Sequence, residues 1–193
     1  MFDLDAFIAD CRAALTEHTP QLAVKELTAR VMAEPAAVAA AFGPATKAEV
    51  GTLYRGPDLT ILKVIWAPGM AIYPHDHRMW AVIGLYGGAE ANAFYRRTPA
   101  GLERAGGKDL EQRDAILLGE DVIHAVVNPR AVAAEAIHIY GGDFFAQARS
   151  EWDPTTLEER PYQVENALRT FAEANERWMQ EQVANRQSAS QPA

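Results

Sequence analysis

Between Val50 and Tyr140 the chain is a succession of short runs rich in Val, Ile, Leu, Tyr and Trp, cut repeatedly by turn-forming residues. The cuts fall at Gly56-Pro57-Asp58, Ala67-Pro68-Gly69, Gly87-Gly88, Gly106-Gly107 and Asn128-Pro129. Runs this short, bounded by residues that supply positive φ or preset it, read as strands rather than helices. Many short strands in succession close into a sandwich or a barrel. On either side the apolar period changes. From Phe2 to about Phe42 it becomes helical, through Leu4, Phe7, Ile8, Cys11 and Leu15 and then Leu22, Leu27 and Val31, with Thr19 and Pro20 placed to cap and open a second helix. Gly43-Pro44 ends this part. After Gly141-Gly142-Asp143 a loop rich in Asp, Pro and Arg reaches Pro161, and Val164, Leu168, Phe171 and Trp178 then predict another helix. The closing stretch ANRQSASQPA is polar and expected to be disordered. The reading is therefore tripartite: a helical segment over 1–49 packed on a barrel, the β-barrel over 50–161, and a helix with a disordered tail over 162–193.

A chain of 193 residues, 49% hydrophobic, can bury one substantial core. Its formal charge of -8, with no basic stripe to offset it, argues against a nucleic-acid partner. No apolar run approaches the length of a membrane span, and the acidic start MFDLDAFIAD is unlike a basic signal peptide, so a cytoplasmic location is expected. Cys11 stands alone, which leaves no disulfide framework and no CxxC pair. Its place on an apolar helix face predicts a core residue.

Four of the five histidines fall in the strand-rich part, each in an apolar segment where an unpaired imidazole is costly to bury. His75 and His77, in YPHDH, are two residues apart, which puts both rings on one side of a strand and within reach of one ion. His124, in EDVIHAVVN, supplies a third imidazole from a distant strand. Three neutral nitrogens fill only part of the coordination sphere of iron, zinc, nickel or copper, so the remaining positions stay open for chemistry. His138 and Tyr140 share a strand face in the same way.

The same residues carry a resemblance. Gly69, five residues and then HxH, closed by Gly88, resembles the first cupin motif, and His124 with Asn128 after three intervening residues resembles the end of the second. The strand-rich part is thus similar to a cupin, a mainly β double-stranded β-helix or jelly roll, here flanked by N-terminal helices and a C-terminal helix. Ala81 and Val82 stand where the usual cupin glutamate would be. Three histidines without that carboxylate resemble the thiol dioxygenases, the family of cysteine dioxygenase and 3-mercaptopropionate dioxygenase. Their Ser-x-His-x-Tyr relay is matched by Ala136-Ile137-His138-Ile139-Tyr140, which keeps the histidine and the tyrosine and lacks the serine. Arg149, nine residues beyond Tyr140, resembles the carboxylate-binding arginine of the bacterial mercaptopropionate enzymes, while Arg55 lies where cysteine dioxygenase carries its own. Val82 replaces the cysteine that crosslinks to the tyrosine in animal enzymes, so Tyr140 is expected to remain a free phenol.

What the resemblance implies is an Fe(II) enzyme that adds both atoms of O2 to the sulfur of a small carboxylate-bearing thiol, giving a sulfinate. His75, His77 and His124 would hold the metal, Tyr140 steadied by His138 would donate a hydrogen bond beside it, and Arg149 or Arg55 would bind the carboxylate. Fe(II) among neutral imidazoles keeps its full charge and favours a thiolate. Two other readings share the sequence: a three-histidine cupin with carbon-carbon-cleaving or Lewis-acid chemistry, and a non-catalytic cupin that binds a metal or small anion. A homo-oligomer is common among jelly rolls but has no signature here.

Overall fold

The computed structural model describes residues 1–189. Its strands are β1 (Glu49–Arg55), β2 (Thr60–Trp66), β3 (Ala71–Asp76), β4 (Ala81–Gly87), β5 (Ala89–Thr98), β6 (Gly101–Glu111), β7 (Ala115–Leu118), β8 (Ile123–Val127), β9 (Ala134–Tyr140), β10 (Ser150–Trp152) and β11 (Glu159–Pro161). They form two sheets, β1-β2-β9-β4-β7 and β11-β10-β3-β8-β5-β6. All pairs are antiparallel, and chain neighbours such as β2 and β3 sit in opposite sheets. This is the predicted mainly β jelly roll, two antiparallel sheets with helices before and after the strands.

The near-continuous apolar text of the first sheet follows from having both faces covered. In β2, Leu62, Val64 and Trp66 point into the barrel, and Ile61 and Ile65 point outward beneath a layer of helices. β9 repeats the pattern, with Ala136 and Tyr140 inward and Ile137 and Ile139 outward. The covering layer is α1 (Leu4–Ala14), α2 (Pro20–Met32) and α3 (Pro35–Phe42). The Asp3 side chain accepts from the Ala6 amide to cap α1, and α2 and α3 each begin on a proline, whose missing N–H is no loss there. Where α2 crosses β4 the strand carries Gly84, and a Cβ there would sit 2.5 Å from Thr28 Cγ2 and 2.8 Å from Met32 Cγ. Cys11 is buried among these helices, and burial pushes its thiol up to about 12. It is an inert core residue, as its helix position predicts.

Four sequence expectations are corrected. The N-terminal part holds three helices, because Pro35 restarts the chain after Met32. In α2 the buried face is Val24, Thr28 and Met32, and Leu22 is 47% exposed. Gly106-Gly107 is no turn. It lies inside β6, opposite Phe94 and Ala93, beside a register shift in β5, and the reversal between β5 and β6 comes earlier, between Thr98 and Gly101. Glycines in a strand mark such irregularities as readily as turns do. Finally, α4 (Val164–Ala189) runs on through Ala184–Ala189, which were expected to be disordered; residues 190–193 lie outside the described part. Ala, Gln and Arg are strong helix formers, and they extend a helix already nucleated by docking. That docking uses Ala167, Phe171 and Ala174, whereas Val164 and Leu168 are exposed.

Candidate metal centre and its cavity

β3 and β8 pair so that His75 stands opposite His124, and His77 follows on the same face just beyond the end of β3. The three imidazoles are buried, with one ligand nitrogen from each lying within 4.8 Å of the others. His77 Nε2 and His124 Nε2 are 3.3 Å apart. Two nitrogens bound at ~2.1 Å to one ion at ordinary angles stand roughly 3 Å apart, so the set fits a metal ion. Two of the other ring nitrogens are held outside the cluster. His75 Nδ1 donates to the Tyr73 carbonyl (3.0 Å), and His124 Nδ1 donates to Asn92 Oδ1 (2.9 Å). Each of these bonds leaves Nε2 with its lone pair toward the centre.

Burial, the largest influence on all three, disfavours the imidazolium. His75 falls to about 4, with the Tyr73 carbonyl working against burial, and His77 and His124 fall well below 6.5, helped by their neighbouring rings. The cluster is therefore a set of neutral donors at neutral pH. Asp76, between the two ligands in sequence, points away from them and is fully buried. It accepts from Arg97 Nη2 (2.8 Å), Arg78 Nε (2.7 Å) and the Ser150 amide (2.7 Å). The last bond ties the ligand strand to the segment that carries Arg149.

Arg149 lies in the wall of the cavity that opens over the histidines, a space of about 810 Å³. Its guanidinium carbon sits 3.9 Å from the Phe144 ring centre and 4.0 Å from that of Tyr162, and Nη1 donates to the Phe144 carbonyl (2.5 Å). Nε is buried without a partner. The neighbouring carboxylates Glu151 and Asp153 are engaged by Arg160 instead. Arg55 is placed differently: it makes a two-pronged ion pair with Asp143 (3.0 and 2.9 Å) and lies over Phe145, and it does not line the cavity. Arg55 in turn holds the Asp143 carboxyl below its usual range.

Tyr140 is buried with its ring edge-on to His77 at 5.0 Å, and burial raises its pKa, so it stays a neutral phenol. No cysteine approaches it: Cys11 lies in the helical layer, and on β4 Ala81, not the outward Val82, stands opposite Tyr140. The Tyr140 hydroxyl and His138 Nδ1 are 3.1 Å apart. Sequence reasoning missed what stands behind His138. Fully buried Glu90, on β5, places Oε1 3.6 Å from His138 Nε2, an ion-pair distance too long for a hydrogen bond, and accepts from Trp66 Nε1 at 2.7 Å. Glu90 Oε2 and His138 Nε2 have no hydrogen-bond partner. Glu90 thus faces the ring nitrogen of His138 that Tyr140 does not. The signal was in the text: Glu90 and Asn92 are polar at period two among alanines, which points both inward on one strand.

No protein-family model matches the sequence. The chain is similar to an RmlC-like cupin family protein with a double-stranded β-helix fold from Methanocaldococcus jannaschii (11% identity, 52% of this chain and 85% of that one, TM-score 0.45). It is also similar to a cupin superfamily protein from Desulfitobacterium hafniense (16% identity, 54% and 87%, TM-score 0.42). A third is oxalate oxidase in complex with the substrate analogue glycolate (13% identity, TM-score 0.41), where 52% of this chain covers 53% of that one, about half its length. These are likenesses of fold. Strand order and site together describe a two-sheet antiparallel β fold whose buried three-histidine cluster is suited to a metal ion.

Proposed function

We propose that this chain is an iron(II)-dependent dioxygenase that converts a carboxylate-bearing thiol to its sulfinate. The observation that carries the reading is the three-histidine cluster sharing one cavity with Arg149, a guanidinium with no carboxylate partner among the described residues. When bound, Fe(II) supplies a charged centre for the thiolate and a site at which O2 can react. In the overall change RS⁻ gains two S–O bonds and O2 loses its O–O bond, so sulfur is oxidised by four electrons and dioxygen is reduced by four, with no further reductant.

The protein residues bind and orient. Arg149, stiffened between Phe144 and Tyr162, holds the carboxylate and fixes the distance from that group to the sulfur, which converts a bimolecular encounter into a positioned one. Glu90, facing His138 Nε2, favours the tautomer with its proton on that nitrogen. Nδ1 is then an acceptor, the Tyr140 hydroxyl donates to it, and the phenol oxygen turns its lone pairs to the cavity. In this arrangement Tyr140 accepts a hydrogen bond from the substrate rather than donating one. Leu62, Val64, Ile72 and Val126 form dry walls that strengthen these polar contacts.

The test is oxygen uptake by anaerobically iron-loaded protein against cysteine, 3-mercaptopropionate, mercaptosuccinate and cysteamine, with products weighed by mass spectrometry. Thiol-dependent uptake with a gain of two oxygens, and preference for the carboxylates over cysteamine, is expected. Iron-loaded protein that oxidises no thiol would refute the assignment and leave carbon-carbon-cleaving, Lewis-acid or binding roles for the same centre.

A further inference from the structure

The cavity has two unlike ends. One is the Arg149 guanidinium in its aromatic bracket. The other is built by Leu62, Val64 and Trp66 of β2 against Ala167, Leu168 and Phe171 of α4, with the Trp66 and Phe171 rings 5.5 Å apart. Trp66 also spends its only polar atom on Glu90, so this end presents no indole donor. The whole space measures about 810 Å³, within the range of sites that take drug-sized ligands. A thiol acid of half a dozen heavy atoms, at the ~30 Å³ that a water molecule occupies in the liquid, fills roughly a quarter of it.

We infer that the site takes an amphiphilic carboxylate whose apolar body, of the size of a phenyl ring or a branched alkyl chain, lies against the β2 and α4 walls beside the Trp66–Phe171 contact while its carboxylate rests on Arg149. The inference rests on the proposed function only for the carboxylate on Arg149; it does not require a thiol. A small polar acid leaves the outer part of this apolar lining, Leu168 above all, in water, whereas an apolar body removes both surfaces from it. Even one methylene in an apolar site contributes ~10–200-fold in discrimination. A phenyl group is therefore expected to tighten binding by tenfold or more.

Calorimetry on zinc-loaded full-length protein, which binds without turnover, tests this with propionate against 3-phenylpropionate and with 3-mercaptopropionate against 3-mercapto-3-phenylpropionate. The phenyl partner of each pair is expected to bind at least tenfold more tightly. Ala167→Phe, which fills the apolar end, is expected to collapse that ratio toward one. Because this variant can fail to fold, Leu168→Asp serves beside it. Leu168 is 64% exposed at the rim, so an acid there is tolerated by the fold and lowers the ratio by opposing the apolar body. A ratio near one in the unmodified protein, or a ratio that survives in folded protein of both variants, overturns the inference. Its failure is separable from that of the thiol reading. A high phenyl ratio with no thiol turned over by the iron form sinks the thiol reading alone, and turnover of 3-mercaptopropionate with a ratio of one sinks this inference alone.

Discussion

Asn128 closes β8 against the end of β2, and removing its amide should be among the more damaging single changes outside the metal cluster. The side chain is fully buried, and Nδ2 donates to the carbonyls of Trp66 (3.2 Å), Ala67 (3.0 Å) and Val132 (2.8 Å), while Oδ1 accepts from the Arg130 amide (3.0 Å). Two N–H hydrogens serve three carbonyls, so one bond is shared. Asn128→Ala leaves the Trp66 and Ala67 carbonyls buried without donors, at ~1–3 kcal/mol for each hydrogen lost, and a total near ~3 kcal/mol is expected. For a chain of this length that lowers Tm by roughly 6–12 °C. Asn128→Asp keeps the shape but turns an oxygen toward three carbonyl oxygens, so at pH 7 it should be worse than alanine. Urea denaturation of metal-free protein followed by circular dichroism measures both. An alanine loss below ~1 kcal/mol, or an aspartate milder than the alanine at pH 7, would refute the account of Asn128 as the donor that three carbonyls share.

Arg149→Met should raise KM for carboxylate thiols tenfold or more, and Arg55→Ala should leave KM within a factor of two, because Arg55 faces Asp143 outside the cavity; steady-state oxygen uptake decides, and the opposite ranking would sink the assignment. Glu90→Gln keeps the acceptor for Trp66 but removes the charge opposite His138, so kcat should fall tenfold or more with KM little changed, whereas equal losses from Glu90→Gln and Trp66→Phe would indicate a packing role only. The folded-state pKa values of the three ligand histidines lie below the ordinary 6.5, so the unfolded chain takes up protons that the fold refuses. Their contribution to the stability of metal-free protein is present above about 6.5 and is lost as pH falls through about 4. Urea midpoints that stay level from pH 7 to pH 4 would contradict the burial of neutral imidazoles.

The legible parts of this molecule are those set by local spacing. His75 and His77 declare a shared face because strand side chains alternate, and the double burial of β2, β4 and β9 shows as near-continuous apolar text, broken by charge only at Lys63 and Glu135 and by the inward His138. What was not legible depends on where distant segments run. Arg149 and Arg55 read alike as single arginines near the barrel. Their difference is made by the loop after Tyr140, which Thr60 pins by donating to the Gly142 carbonyl and accepting from the Phe144 amide. Glu151 is fully buried and accepts from Arg160, the Gln163 amide and Asn166 to dock the start of α4, partners up to 15 residues away that no local spacing marks. Helix periodicity pointed to Val164 and Leu168 as core; the small residues Ala167 and Ala174 let α4 approach, and they carry no hydrophobic emphasis in sequence.

The direct pairing of His75 with His124 also bears on assembly. A slip of one residue between β3 and β8 would send one partner's side chain to the opposite face of the sheet, and the donor set would no longer exist. Two of the three donors, His77 and His124, are 47 residues apart in the chain and adjacent only when this zipper is correctly aligned. An ion held by all three rings therefore recognises one alignment and none of its neighbours. An ion bound there would thus favour the properly registered barrel over every slipped one.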